Sequence, residues 1–137
     1  MNRNSFYSVI EEIGTFANED AFKKKYMSII SSDKKRYREV LAIENAVEPG
    51  MPDLLIIDKN EKAIFVELKY ARKGVISFER TQIPWYRRHR GLNIIILAYN
   101  DKTHNIHRID AAVILMKAQG TKYRLEHEAQ YELENLL

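Results

Sequence analysis

The stretch from Pro49 to Lys69 constrains this chain more than any other. Pro49-Gly50-Met51-Pro52-Asp53 is a turn by composition, and it leads straight into Leu54-Leu55-Ile56-Ile57. That apolar run is short enough for a buried strand. Asp58-Lys59-Asn60-Glu61 interrupts it, and Ile64-Phe65-Val66-Glu67-Leu68-Lys69 follows, so the two runs are expected to pair as a hairpin. Asp53 then stands at the start of one strand, with Glu67 and Lys69 at the end of the next, all at one edge of a sheet. Side chains repeat every two residues along a strand, so Glu67 and Lys69 share a face.

Taken alone, Asp53 reads as ordinary turn chemistry, and Glu67 with Lys69 reads as an ion pair on a solvated sheet face. Together they say more. Val66 and Leu68 make the strand apolar around Glu67, and a buried carboxylate is rare unless it is paired or bound to metal. Two acids held close repel each other unless a cation lies between them. Metal-assisted hydrolysis of a phosphodiester uses that arrangement.

The flanking sequence supplies helices. Phe6, Val9, Ile10, Ile13 and Phe16 recur at helical spacing behind Asn4 or Ser5. A second helix is expected from about Asn18, with Phe22, Tyr26, Ile29 and Ile30 as its apolar face and Ser31-Ser32-Asp33 as its end. Val40 to Asn45 suggests a first strand. After Lys69, a basic helix is expected from Ser77 or Thr81 to Arg90, stopped by Gly91. With Thr81 as N-cap, Pro84 falls in the first turn, where its missing N–H costs nothing. Leu92 to Ala98 is a further apolar strand, and Ile106 to Ile109 a short one. Asp110 caps a helix through Met116 closed by Gly120, and the last fifteen residues are expected as helix. The order helix, three strands, helix, strand implies an α/β fold, a mixed central sheet flanked by helices (αβββαβ). With 137 residues, no repeats and no linker, residues 1–137 form a single domain.

At these residues the chain resembles the PD-(D/E)XK nuclease superfamily. Within it, Pro49-Gly50-Met51-Pro52-Asp53, Glu67-Leu68-Lys69, Gln82 and Trp85 are similar to the small VRR-NUC group, which includes phage-encoded nucleases. Archaeal-type Holliday junction resolvases are structurally akin. The resemblance spans roughly Val40 to Ala98 and implies a restriction-endonuclease-like fold. It implies that Asp53, Glu67 and the backbone carbonyl of Leu68 are metal ligands; oxygen-only ligation suits Mg²⁺ or Mn²⁺ rather than zinc. Lys69 would orient or deprotonate the attacking water and stabilise charge on the phosphorane. Gln82 would support the site from the following helix; read as a lone residue it is equally an exposed helix position. Trp85 reads as core packing. Pro84 departs from the group's usual run between these two. The family often adds an upstream acid. Glu19 is the first choice here, Glu12 the second and Glu44 the third, and each is otherwise an ordinary surface acid.

Basic runs usually mark solvated faces. Arg72-Lys73 and Arg87-Arg88 directly follow the proposed site strand and its supporting helix, where a nuclease needs cations for the phosphate backbone. Tyr70 and Tyr86 read equally as core and as DNA contacts. His89, His104, His107 and His127 match no zinc spacing, and the chain has no cysteine. Net charge is +3, a mild bias toward polyanions. No run approaches the ~20 apolar residues of a membrane span, and no signal-peptide core is evident, which leads to the expectation of a cytoplasmic protein, in the host if phage-encoded. The expected activity is Mg²⁺-dependent DNA endonuclease, on branched DNA by family analogy, from a homodimer matched to two-fold junctions. Leu133, Leu136 and Leu137 could serve that interface or the core. Two alternatives stay open: a restriction or nicking nuclease of the same fold, and a non-catalytic DNA-binding module.

Overall fold

Asn18 starts the first helix by chemistry as well as position. Its side chain accepts from the Ala21 N–H at 2.9 Å, and Glu19 and Asp20 fill the first turn, where the helix dipole favours acids. The helix, α1 (Glu19–Ser32), buries Phe22, Tyr26 and Ile30, four residues apart, and ends at Asp33. The structure is a computed structural model that describes residues 15–44 and 47–125. The expected first helix, Glu12 within it, His127 and the C-terminal leucines lie outside those residues, apart from Phe16, which is not helical and packs edge-on to Phe22 and Tyr99.

Five strands form the main sheet in the order β1-β2-β3-β5-β6: β1 (Tyr37–Ala42), β2 (Leu54–Asp58), β3 (Ala63–Ala71), β5 (Ile94–Asn100) and β6 (Asn105–Asp110). Only β3 and β5 run parallel; the other neighbours are antiparallel. The β2–β3 hairpin forms as expected, with Leu54 opposite Val66 and Ile57 opposite Ala63. The first strand begins three residues before the expected Val40 and stops at Ala42, short of Asn45. It is an edge strand, largely exposed, so burial imposes little alternation on its sequence. β5 is buried along its whole length, as a central strand with both faces covered should be.

Two short elements were not expected. β4 (Val75–Ser77) and β7 (Lys122–Arg124) pair into a second, two-stranded sheet. β7 corrects the helix expected over the last fifteen residues at its first two positions, because Tyr123 and Arg124 are drawn into a ladder with Ile76 and Val75. The basic helix, α2 (Gln82–Arg88), is shorter than expected. Thr81 occupies the N-cap position without a side-chain cap bond, and the helix closes at His89, before Gly91. The last described helix, α3 (Ala111–Lys117), follows Asp110 as expected, again without a side-chain cap bond.

Period-two alternation splits the sheet residues between two cores. Ile64, Val66 and Leu68 pack under α1 with Leu54, Ile56, Leu97 and Tyr99. Ala71, Ile94, Ile96 and Ala98 pack on the other face with α2, α3 and the small sheet, and Phe65 joins them. The fold is therefore mixed α/β, a mainly antiparallel central sheet flanked by helices on both faces, and from α1 to β5 its elements follow the αβββαβ order with β4 inserted before α2. Among the described residues, no helix is long and apolar enough to cross a membrane.

Candidate functional site

β3 outruns β2. Beyond the Leu54–Val66 pair, residues 67–71 pair with β5 alone. Leu68 therefore has its N–H free on the β2 side, and Asp53 fills the gap: its Oδ2 accepts from Leu68 N at 2.8 Å. The Asp53 carbonyl meanwhile accepts from Ile43 N at 2.8 Å, which ties the residue to the end of β1. The turn ahead of it is set against α2. Gly50 has φ +95°, and a Cβ there would lie 2.2 Å from the Thr81 carbonyl oxygen. Only glycine allows that approach.

Glu67 and Lys69 face the α2 layer and are buried, at 2% and 5% exposure. Gln82, the first residue of α2, is buried with them and bridges the pair: its Nε2 donates to Glu67 Oε2 at 2.8 Å, and its Oε1 accepts from Lys69 Nζ at 2.7 Å. The same Oε1 accepts from Glu79 N at 2.8 Å, so the side chain is held from the backbone too. The reading of Gln82 as an exposed helix residue is thus overturned. Lys69 also donates to the Ser77 carbonyl at 3.0 Å and lies 5.2 Å from the Phe78 ring centroid. Its distance to Glu67 Oε2 is 3.7 Å.

Electrostatics isolate Glu67. Burial, and then the nearby Asp53 charge, push its pKa up to about 7, against the opposing pull of Lys69, Lys23 and the Gln82 hydrogen bond. Its Oε1 is buried with no hydrogen-bond partner among the described residues. An acceptor left bare in that way invites a cation.

α1 contributes a lysine. Lys23 Nζ lies 3.4 Å from both Asp53 oxygens. Burial opposes its charge, yet the carboxylates of Asp53, Glu67 and Glu19 outweigh that and raise its pKa. Glu19, the first-choice upstream acid, sits one turn earlier in α1 and half-buried; Glu44 is exposed beyond β1. Among the described residues, no group of three or more His, Cys, Asp or Glu is gathered for a metal, so the carboxylates at this edge are a pair.

No family model matches the chain, and no curated protein matches it. Among solved structures, the chain is similar to a bacterial homing endonuclease, I-Ssp6803I, at 18% identity and a TM-score of 0.47, over 77% of this chain and 72% of that one.

The remaining candidates separate cleanly. Arg72, Lys73, Arg87 and Arg88 are exposed. Arg72 lies over the Tyr70 ring at 5.6 Å, and Lys73 forms the β3–β4 turn with its own N–H on Asp101 Oδ1 at 2.7 Å. Tyr86 is fully buried against Phe78 and Trp85, so it belongs to the core, as does Trp85, whose Nε1 donates to Glu48 Oε2 at 3.1 Å. Sequence reasoning left Lys23 among the basic runs that read as solvated faces, and passed over the Ser77 carbonyl and Glu48. Lys23 stands in a run of three lysines, and its i, i+4 relation to Glu19 was the one available signal.

Proposed function

We propose that this chain is a divalent-cation-dependent DNA endonuclease of restriction-endonuclease-like fold, with Asp53, Glu67, Lys69 and Gln82 at its centre. One observation carries the reading. Glu67 is a buried carboxylate facing a second acid, with one oxygen tied by Gln82 and the other unpartnered. Burying that charge is costly, and a hard cation shared with Asp53 offsets the cost. The donors available are all oxygens, which suits Mg²⁺ or Mn²⁺. The Leu68 carbonyl is the third: N–H and C=O of one strand residue point the same way, and the Leu68 N–H faces Asp53.

When bound, the cation supplies charge neutralisation at the phosphodiester and acidification of the attacking water. The chain's own groups do the rest. Lys69, held by Gln82 and Ser77, presents a rigid amine beside the acids, where it orients the water and stabilises the extra negative charge of the phosphorane. Gln82 is a positioning residue, since it fixes Glu67 and Lys69 through the two ends of one amide. The water oxygen bonds to phosphorus in line as the bond to the 3′ oxygen breaks. The water yields a proton to solvent and the 3′ oxygen takes one, leaving a 5′-phosphate and a 3′-hydroxyl.

Branched DNA of the Holliday junction type, cut by a homodimer, is the substrate and assembly we infer; both follow from motif resemblance and two-fold symmetry. Supercoiled plasmid incubated with Mg²⁺ tests the activity. Wild type should nick or linearise it while Asp53→Ala leaves it closed. Equal survival with both proteins returns the chain to a DNA-binding module. Four-way junctions, flaps and linear duplex compared side by side then test the substrate.

A further inference from the structure

Two lysines stand beside the acids, and they are held very differently. Lys69 is locked by bonds of 2.7 and 3.0 Å to Gln82 and Ser77. Among the described residues, the one polar contact of Lys23 is with Asp53, at 3.4 Å to each oxygen, well beyond the 2.7–2.9 Å of a firm ammonium–carboxylate hydrogen bond. An ammonium equidistant from both oxygens lies on the plane that bisects the carboxylate, and a cation chelated by that group would lie on the same plane. Asp53 does not need Lys23 to be oriented, because Leu68 N and the bond from Ile43 already fix it. Lys23 has somewhere else to go. Glu19 lies one turn N-terminal on α1, in the i, i+4 order Glu then Lys that favours pairing.

We propose that Lys23 is a resident counter-ion that occupies the cation position at Asp53 in the metal-free protein and is exchanged for the divalent ion, withdrawing toward Glu19. The inference rests on the reading of Asp53 and Glu67 as a divalent-cation site. In the free state Lys23 offsets the repulsion between the two acids. On metal entry it must give way, so part of the metal's binding energy is spent on displacing it, and the site is tuned to weaker binding than its donors alone would give.

Calorimetric titration of Mn²⁺ into the full chain, without DNA, tests this. Lys23→Met keeps an unbranched side chain one atom shorter and removes the charge. It should bind Mn²⁺ at least about fivefold tighter than wild type, the scale of the attraction between an ammonium and a carboxylate about 4 Å apart in a water-like dielectric, which wild type gives up on exchange. Lys23→Arg should stay near wild type. Without metal, Lys23→Met should melt below wild type, and saturating Mn²⁺ should lift its melting temperature by more than it lifts wild type. Lys23→Gln serves the same comparison should Lys23→Met not fold. Unchanged or weaker Mn²⁺ binding by the neutral variants overturns the exchange while leaving the metal site standing. If wild type and neutral variants alike show no Mn²⁺ binding that Asp53→Asn abolishes, the endonuclease reading itself fails, and the exchange with it.

Discussion

Glu67 concentrates the electrostatic tension of the molecule in one side chain. Its pKa is pushed up to about 7 by burial and by Asp53, from an ordinary value of 4.5. Between those two pH values the folded chain holds a proton that the unfolded chain has lost. Stability from this group therefore falls as pH rises from about 4.5 to about 7, and the whole penalty is present above that. Its size is on the order of 3 kcal/mol. Glu67→Gln removes the charge and keeps an acceptor for Gln82. The metal-free variant should accordingly be more stable than wild type at pH 8, with the difference vanishing at pH 5, while cleavage is lost. Urea unfolding at the two pH values measures it. A variant destabilised equally at both would mean that packing, and not charge burial, governs this position.

Among the elements, the contact that matters most joins the turn before β2 to the start of α2. The turn carries Asp53 and the helix carries Gln82, and they touch where Gly50 meets the Thr81 carbonyl. Gly50→Ala must both adopt a left-handed φ and push a backbone oxygen aside, so it should cost ~2 kcal/mol or more and separate Asp53 from Glu67. Gly120→Ala is the control. Gly120 has φ +61° with open space where a Cβ would go, so only the dihedral strain applies. Thermal melts and plasmid cleavage compare the two; equal losses would show that the turn–helix contact carries no special weight. Element boundaries around this contact were legible to differing degrees. β2, β3 and β5 stand out because uninterrupted apolar runs have no other place than a covered sheet. The β4–β7 ladder was not legible: each strand has three residues, and each needs a partner remote in the chain. That hid the Ser77 carbonyl, and with it half of what holds Lys69. Gln82 and Lys23 were ambiguous for a related reason. A polar residue at the end or flank of a helix looks solvated until the packing of other elements decides which way it points.

At the scale of the whole molecule the charge is modest, +3 in 137 residues, so any grip on DNA must come from where cations are placed. Arg72 and Lys73 mark the turn that closes β3, and Arg87 and Arg88 the last turn of α2. These are the C-terminal ends of the two elements that carry Glu67, Lys69 and Gln82. An alternative exists for the second pair, because basic residues in a final helical turn also answer the helix dipole, worth about 0.3–1 kcal/mol. The double variant Arg87→Ala with Arg88→Ala separates the two roles. As phosphate contacts, their loss should lower the slope of log affinity against log salt by roughly 0.9 for each contact, on duplexes of any sequence. Both side chains are exposed, so stability should stay within about 0.5 kcal/mol. As dipole partners, their loss should lower stability and leave the salt slope unchanged. Fluorescence anisotropy with labelled duplex over a salt series, in Ca²⁺ or EDTA to hold cleavage off, decides between them, and an unchanged slope would take the end of α2 out of the proposed DNA contact.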